Sequence, residues 1–211
     1  MKKIPFYLLL GSSIILSSCS KKEKNNEEIS EVILQKNDTI SAKDTAKTIQ
    51  LFDINTITVS TFELGEFPYL ELPKNIQYQN KPINRDYDDL YFPIGKNGDF
   101  EKLSGKVFKT YVVKSDDATT DWSFPYFLKT YDDAIKKLGG VMLLDKKLTD
   151  QQTNYLKNNA RYLGEEGSLD YWNDPVQVYV IRRTDGDDIY IQLSGNSAGG
   201  SIQILQKEIT K

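Results

Sequence analysis

Residues 176–206 read VQVYVIRRTDGDDIYIQLSGNSAGGSIQILQ, three apolar runs separated by two glycine-bearing turns. In 176–182, Val176, Val178 and Val180 form one face and Gln177, Tyr179 and Ile181 the other, the period of two expected of a half-buried strand. Segments 188–193 (DIYIQL) and 201–206 (SIQILQ) are also rich in β-branched and aromatic residues and read as strands. Asp185-Gly186 and the run from Gly195 to Gly200 supply turns, so the three segments predict an antiparallel meander.

Working upstream, 124–138 predicts an amphipathic helix. Phe127, Tyr131, Ile135 and Leu138 recur on one face, and Lys129, Asp132, Lys136 and Lys137 fall elsewhere. Ser123 and Pro125 suit its first turn, the two lysines its last, and Gly139-Gly140 a left-handed cap. Segment 141–144 follows as a strand. Thr149 with Gln152 makes a capping box opening a second, more polar helix to about Asn159. Earlier still, 89–94 (DLYFPI) and 106–114 (KVFKTYVVK) read as a strand pair around the turn-rich GKNGD, with Pro93 confining the first to a sheet edge or a strand end. Residues 53–76 contain Gly65, Pro68 and Pro73, which exclude a long helix or a central strand and predict an irregular wrap over the core. The class is α+β: a mostly antiparallel sheet covered by one amphipathic helix, with a second short helix and a C-terminal three-strand meander.

The first fifty residues are of a different kind. Lys2 and Lys3 precede an apolar run over 4–16, interrupted only by Gly11, Ser12 and Ser13. At helical rise such a run spans about 20 Å against a hydrocarbon core of ~30 Å, so it predicts a secretory signal over 1–18 in preference to a membrane span. It ends in Leu16-Ser17-Ser18-Cys19, which resembles the lipobox of bacterial lipoproteins. That resemblance implies cleavage after Ser18, a diacylglycerol on the Cys19 thiol and an acylated new amino terminus. The competing reading is an incidental cysteine after an ordinary signal peptide. Cys19 is the only cysteine, so an internal disulfide is impossible and lipidation accounts for the unpaired thiol. Two or three acyl chains at ~0.8 kcal/mol per buried methylene give stable attachment. Residues 19–50, rich in Lys, Glu, Asn, Asp, Ser and Thr, read as the lipidated cysteine and a solvated tether of roughly 30 Å root-mean-square span. Within it, 27–34 carries the spacing of a short helix. Residues 51–211 are read as one α+β domain.

Composition narrows the chemistry. The chain has 211 residues, 39% hydrophobic and 27% charged, with 30 acidic and 27 basic side chains and no histidine. Mean hydropathy of -0.50 excludes a polytopic membrane protein, and pI ≈ 5.2 argues against a nucleic-acid partner. Lack of histidine removes imidazole-dependent hydrolases and histidine-ligated zinc sites. Removing 1–18 takes away two lysines and leaves 25 basic against 30 acidic residues, a net charge of -5.

Several motifs invite chemistry. Gly195–Gly200 lacks phosphate-loop spacing and precedes a strand, so it reads as a hairpin turn. Asp86, Asp88 and Asp89, and Asp185, Asp187 and Asp188, are spaced as Ca²⁺ ligands could be, but lack the glycine and distal glutamate of an EF-hand and read as solvated turns. Trp122, Trp172 and thirteen tyrosines could stack sugars, although most aromatics belong in cores. Arg182-Arg183 could hold an anion or be ordinary surface.

As a set, TVSTFELGEFPYLELP (58–73), YDDAIKKLGG (131–140), VYVIRR (178–183) and AGGSIQIL (198–205) resemble an uncharacterised module of envelope lipoproteins in Bacteroidota-type bacteria, commonly found N-terminal to an OmpA-like peptidoglycan-binding domain. The resemblance covers about 51–207. The OmpA-like domain would begin where this sequence stops, at Lys211, so no wall-binding residue transfers. The resemblance implies an envelope setting and an accessory, non-catalytic module. The expectation is a protein held by its N-terminal lipid to the cell envelope, at the outer membrane, with no catalytic, cofactor or metal residues, binding a partner protein or an envelope polymer. A glycan binder is the alternative, and a carboxylate- or metal-dependent hydrolase the third reading.

Overall fold

Seven antiparallel strands make the sheet. The computed structural model describes residues 51–209. The expected signal peptide, the expected processing site at Ser18–Cys19, the expected tether and the short helix read over 27–34 all fall outside the described residues. The elements are β1 (Ile76–Tyr78), β2 (Ile83–Phe92), β3 (Glu101–Lys114), α1 (Phe124–Lys137), β4 (Val141–Lys146), α2 (Asp150–Asn159), β5 (Val176–Ile181), β6 (Ile189–Gly195) and β7 (Gly200–Lys207). The strand order is β1-β3-β7-β6-β5-β4, with β2 also on β3. Val107 pairs with both Arg85 and Leu205, and Val112 with both Tyr78 and Gly200. Strands β1 and β2 therefore share the outer edge of the long β3, and β4 forms the other edge.

The expected meander forms, but its alternation has a different meaning from the half-buried one read in the sequence. Every residue of β5 and β6 is buried. Tyr179, Ile181, Ile189, Ile191, Leu193, Ile202 and Ile204 belong to one apolar cluster with Phe127, Tyr131 and Ile135 of α1. Val176, Val178, Val180, Tyr190 and Leu205 belong to a second cluster with Leu156 of α2, Leu169 and Tyr171. Helix α1 covers one face as expected, while α2 and the loop after it cover the other. Each Ile or Leu sealed in this way contributes about 1.5–3 kcal/mol.

Local signals explain the helices. The Ser123 side chain accepts from the Tyr126 amide, Pro125 sits in the first turn, and Gly139 takes φ +79 at the end of α1. Thr149 and Gln152 complete the capping box of α2. Strand β2 ends at Phe92, two residues short of the expected Ile94, because Pro93 closes it, and it begins at Ile83, while β3 begins at Glu101. The missed portions carry charged residues outward on an edge, where no apolar period reveals them. The three-residue β1 lies at the end of the stretch read as irregular.

Residues 51–73 wrap the sheet end as anticipated. Phe52, Ile54 and Ile57 pack on the α2 side, whereas Leu64, Phe67, Tyr69 and Leu72 pack on the α1 side. The segment crosses at a parallel bridge between Val59 and Arg182. No helix among the described residues is long and apolar enough to cross a membrane.

Candidate functional site

Most motifs singled out in the sequence are consumed by the fold. Arg182 donates to the Ile57 carbonyl at 2.8 Å and Arg183 to the Phe62 carbonyl at 2.9 Å, so the arginine pair fastens the crossing segment to the end of β5. Asp188 accepts from the Arg183 amide at 2.7 Å and closes the β5–β6 turn. Burial raises the Asp187 carboxyl, while a hydrogen bond shared with Asp187 lowers that of Asp185. Gln206 donates to Asp187 at 2.7 Å. Neither aspartate lines any of the cavities below. Gly195 and Gly200 pair directly at the β6–β7 hairpin. Among the described residues no group of three or more Cys, Asp or Glu is arranged to hold a metal ion.

Trp122 packs on Phe127 at 5.6 Å between ring centroids and donates to the Asn196 carbonyl at 2.9 Å. It edges an open depression of about 560 Å³ whose Asp174 and Asn196 are bonded to each other. Another cavity, about 320 Å³, lies between Asn97–Phe100 and the start of α2. There Gln152 donates to the carbonyls of Asn97 and Gly98 and caps with Thr149, while Asp99, Gln151 and the Tyr155 hydroxyl make no side-chain hydrogen bond among the described residues.

A third cleft, about 360 Å³, combines exposed aromatic rings with a cation that has no bonded partner among the described residues. It lies between the outer edge of β2 and the end of α2, and its walls include Tyr87, Tyr91, Arg161 and Tyr162. Tyr91 donates to the Asn159 carbonyl at 2.8 Å, tying the end of α2 to β2. The hydroxyls of Tyr87 and Tyr162 and the Arg161 guanidinium make no hydrogen bond among the described residues, and both tyrosines are 59% exposed.

The backbone presents both rings by unusual means. The β2–β3 register shifts by one residue between Arg85 and Asp88, a bulge that contains Tyr87. Such bulges re-aim side chains and are enriched beside functional sites. Tyr162 has φ +59, in the left-handed region, where a bulky residue costs about 1–2 kcal/mol relative to its ordinary conformation. The Arg85 guanidinium lies 5.4 Å from the Tyr162 ring centroid. Arg85 does not line the cleft, so it backs the ring.

Behind this surface is a charge network. Glu165 accepts from both Arg85 and Lys109, and Asp88 also accepts from Arg85. The Lys109 side chain is only 3% exposed. Burial alone would raise the Glu165 carboxyl, but hydrogen bonds from Arg85 and Lys109 outweigh it and hold the group below its ordinary value. Behind the loop, Gln192 donates to Gln203 and Tyr171 at 2.7 Å each, and Gln203 donates to the Gly167 carbonyl at 2.8 Å. At Gly167, with φ +74, a β-carbon would stand 2.4 Å from the Thr110 amide nitrogen. Glycine thus lets the loop lie directly on β3.

Asp88 and Asp89, singled out as possible Ca²⁺ ligands, do line the cleft, but each is already engaged. Asp89 accepts from Ser104 at 2.6 Å and from Lys102 at 3.0 Å, and these bonds, Ser104 first, hold its carboxyl low. The cleft therefore offers ring faces, hydroxyls and one guanidinium without a bonded partner, beside two carboxylates already held by other side chains. Sequence reading missed Tyr87, Arg161 and Tyr162 individually; the available signals were an aromatic inside NRDYDD and an Arg-Tyr pair just past the helix end. No protein family, no curated protein and no solved structure matches the chain.

Proposed function

We propose that this is a lipid-anchored protein of the cell envelope, held at the outer membrane through Cys19, whose domain binds a saccharide polymer in the Tyr87–Tyr162 cleft without turning it over. The observation that carries this reading is Tyr162: a bulky ring kept at φ +59 and backed by Arg85, where glycine or asparagine would fit at lower cost. Ring faces with nearby hydroxyls match the alternating apolar and polar surfaces of a sugar. Binding without catalysis is supported by the carboxylates. A glycosidase needs one carboxyl held protonated near neutral pH, and Asp89 is shifted the opposite way while Asp88 is bound to Arg85. Of the two expected classes of ligand, an envelope polymer fits this polar, aromatic cleft better than an apolar protein surface does.

Calorimetric titration of the full chain, in detergent micelles, with solubilised cell-wall strands and purified capsule tests the proposal. Binding of at least one polymer, weakened tenfold or more by Tyr162→Ala and by Tyr87→Ala, is expected. Silence toward every polymer, together with a specific protein cross-link in membranes, would replace it with the partner-protein reading.

A further inference from the structure

Resting on that reading, we infer that the saccharide bound in the cleft is acidic and places a carboxylate on Arg161.

Four groups form the network behind the cleft, and their charges cancel: Arg85 and Lys109 against Asp88 and Glu165. At the rim, Lys102 is matched by Asp89. Arg161 lines both the cleft and a void of about 30 Å³ beneath it, and among the described residues it has no ion-pair partner, although Asp88 and Asp89 line the same cleft. Those two carboxylates are held by other cations. The charges lining the cleft balance, Lys102 and Arg161 against Asp88 and Asp89, but both carboxylates are bonded to other cations, so Arg161 is the lining cation without a bonded partner, and its planar fork fits a carboxylate through two parallel hydrogen bonds.

The surroundings favour a single negative charge over a double one. Asn159, the last residue of α2, lines the cleft, so the negative end of that helix points toward it. No helix N-terminus contributes to the lining, and Lys102 is already engaged. A phosphate dianion would meet one free cation, the helix end and two fixed carboxylates. A monoanionic sugar acid meets the same guanidinium at a smaller electrostatic cost, while its ring rests between Tyr87 and Tyr162.

The test titrates the full chain in detergent with trigalacturonic acid and with a hyaluronan tetrasaccharide, each compared with its own methyl ester. Esterification removes the charge and preserves the sugar. At about 50 mM salt at least one acid is expected to bind tenfold or more tightly than its ester, with the preference shrinking at about 500 mM salt. Arg161→Gln should abolish the preference, bringing acid and ester to the same affinity, whereas Tyr162→Ala should weaken both forms and keep the preference. Equal affinity for acid and ester, with both weakened by Tyr162→Ala, would overturn the carboxylate inference and leave the saccharide reading standing. Absence of binding to either pair, with a cell-wall or capsule polymer still bound, would overturn the carboxylate inference alone, and silence toward those polymers as well would overturn both.

Discussion

The ring of Phe127 occupies the space into which a side chain at Gly200 would project: a β-carbon there would lie 2.7 Å from Cζ and 2.9 Å from Cε1 and Cε2. Helix α1 thus rests its central aromatic directly on the backbone of β7. Gly200→Ala should destabilise the domain by about 2 kcal/mol through overpacking. Gly186, at φ +87 with open space around it, should lose only about 1 kcal/mol on the same change. Urea midpoints of the two variants measure the difference, and equal losses would mean that the α1 contact is not tight.

Glu165 should matter more than either cation it binds. Removing it leaves Lys109 buried without a counter-ion, so Glu165→Ala should cost about 2 kcal/mol, less than for a fully buried pair because the Glu165 side chain is 21% exposed. Lys109→Met leaves Glu165 on Arg85 and replaces a buried charge with an apolar chain of similar reach, so it should cost about 1 kcal/mol or less. Chemical denaturation of both variants at neutral pH gives the order, and a costlier Lys109→Met would contradict it.

The same carboxylate sets an acid limit. Because the folded-state pKa of Glu165 lies below the ordinary 4.5, its contribution is fully present above that value and is lost as pH falls through the lowered one. The stability gap between wild type and Glu165→Gln should be constant above the ordinary 4.5 and narrow only as pH falls through the lowered value. Denaturation at each pH measures it, and a gap that closes while pH is still above 4.5 would place the stabilisation elsewhere.

Much of this architecture is written locally and some of it is not. The Thr149–Gln152 box, the Phe127–Tyr131–Ile135 stripe and the three C-terminal strands are legible because short-range chemistry and burial agree at those positions. That Val176, Val178 and Val180 face a second core and not solvent depends on α2 and the following loop, which come from elsewhere in the chain. The bulge at Tyr87 and the left-handed Tyr162 are harder still, since the residues there do not favour those conformations. Arg182-Arg183 has the composition of a surface anion site, and only tertiary structure reveals the carbonyls it holds.

The proposed anchor makes a separate prediction. The protein should partition into the detergent phase of a cloud-point extraction, run with membranes and carry the mass of its acyl chains, whereas Cys19→Ser should lack that mass, whether it stays in the detergent phase uncleaved through its apolar 4–16 run or is released. A single reversible acyl chain would give partial release, and the two or three chains expected on Cys19 should give none. An intact mass without acyl chains in the wild-type protein would remove lipidation from the account.

Tyr162 offers a way to tell binding from folding. Asparagine tolerates the left-handed backbone, so Tyr162→Asn should recover about 1 kcal/mol at φ +59. Loss of the Arg85 contact should cost ~0.5–1 kcal/mol. The two nearly cancel, and the thermal midpoint should stay within a few degrees of wild type. Affinity for the saccharide should nevertheless fall at least tenfold, because the ring is the surface the sugar rests on. A variant that melts far below wild type yet binds normally would make Tyr162 a fastening of the loop and move the ligand elsewhere. A stable variant without affinity would show that the chain maintains a costly conformation for the ring it presents.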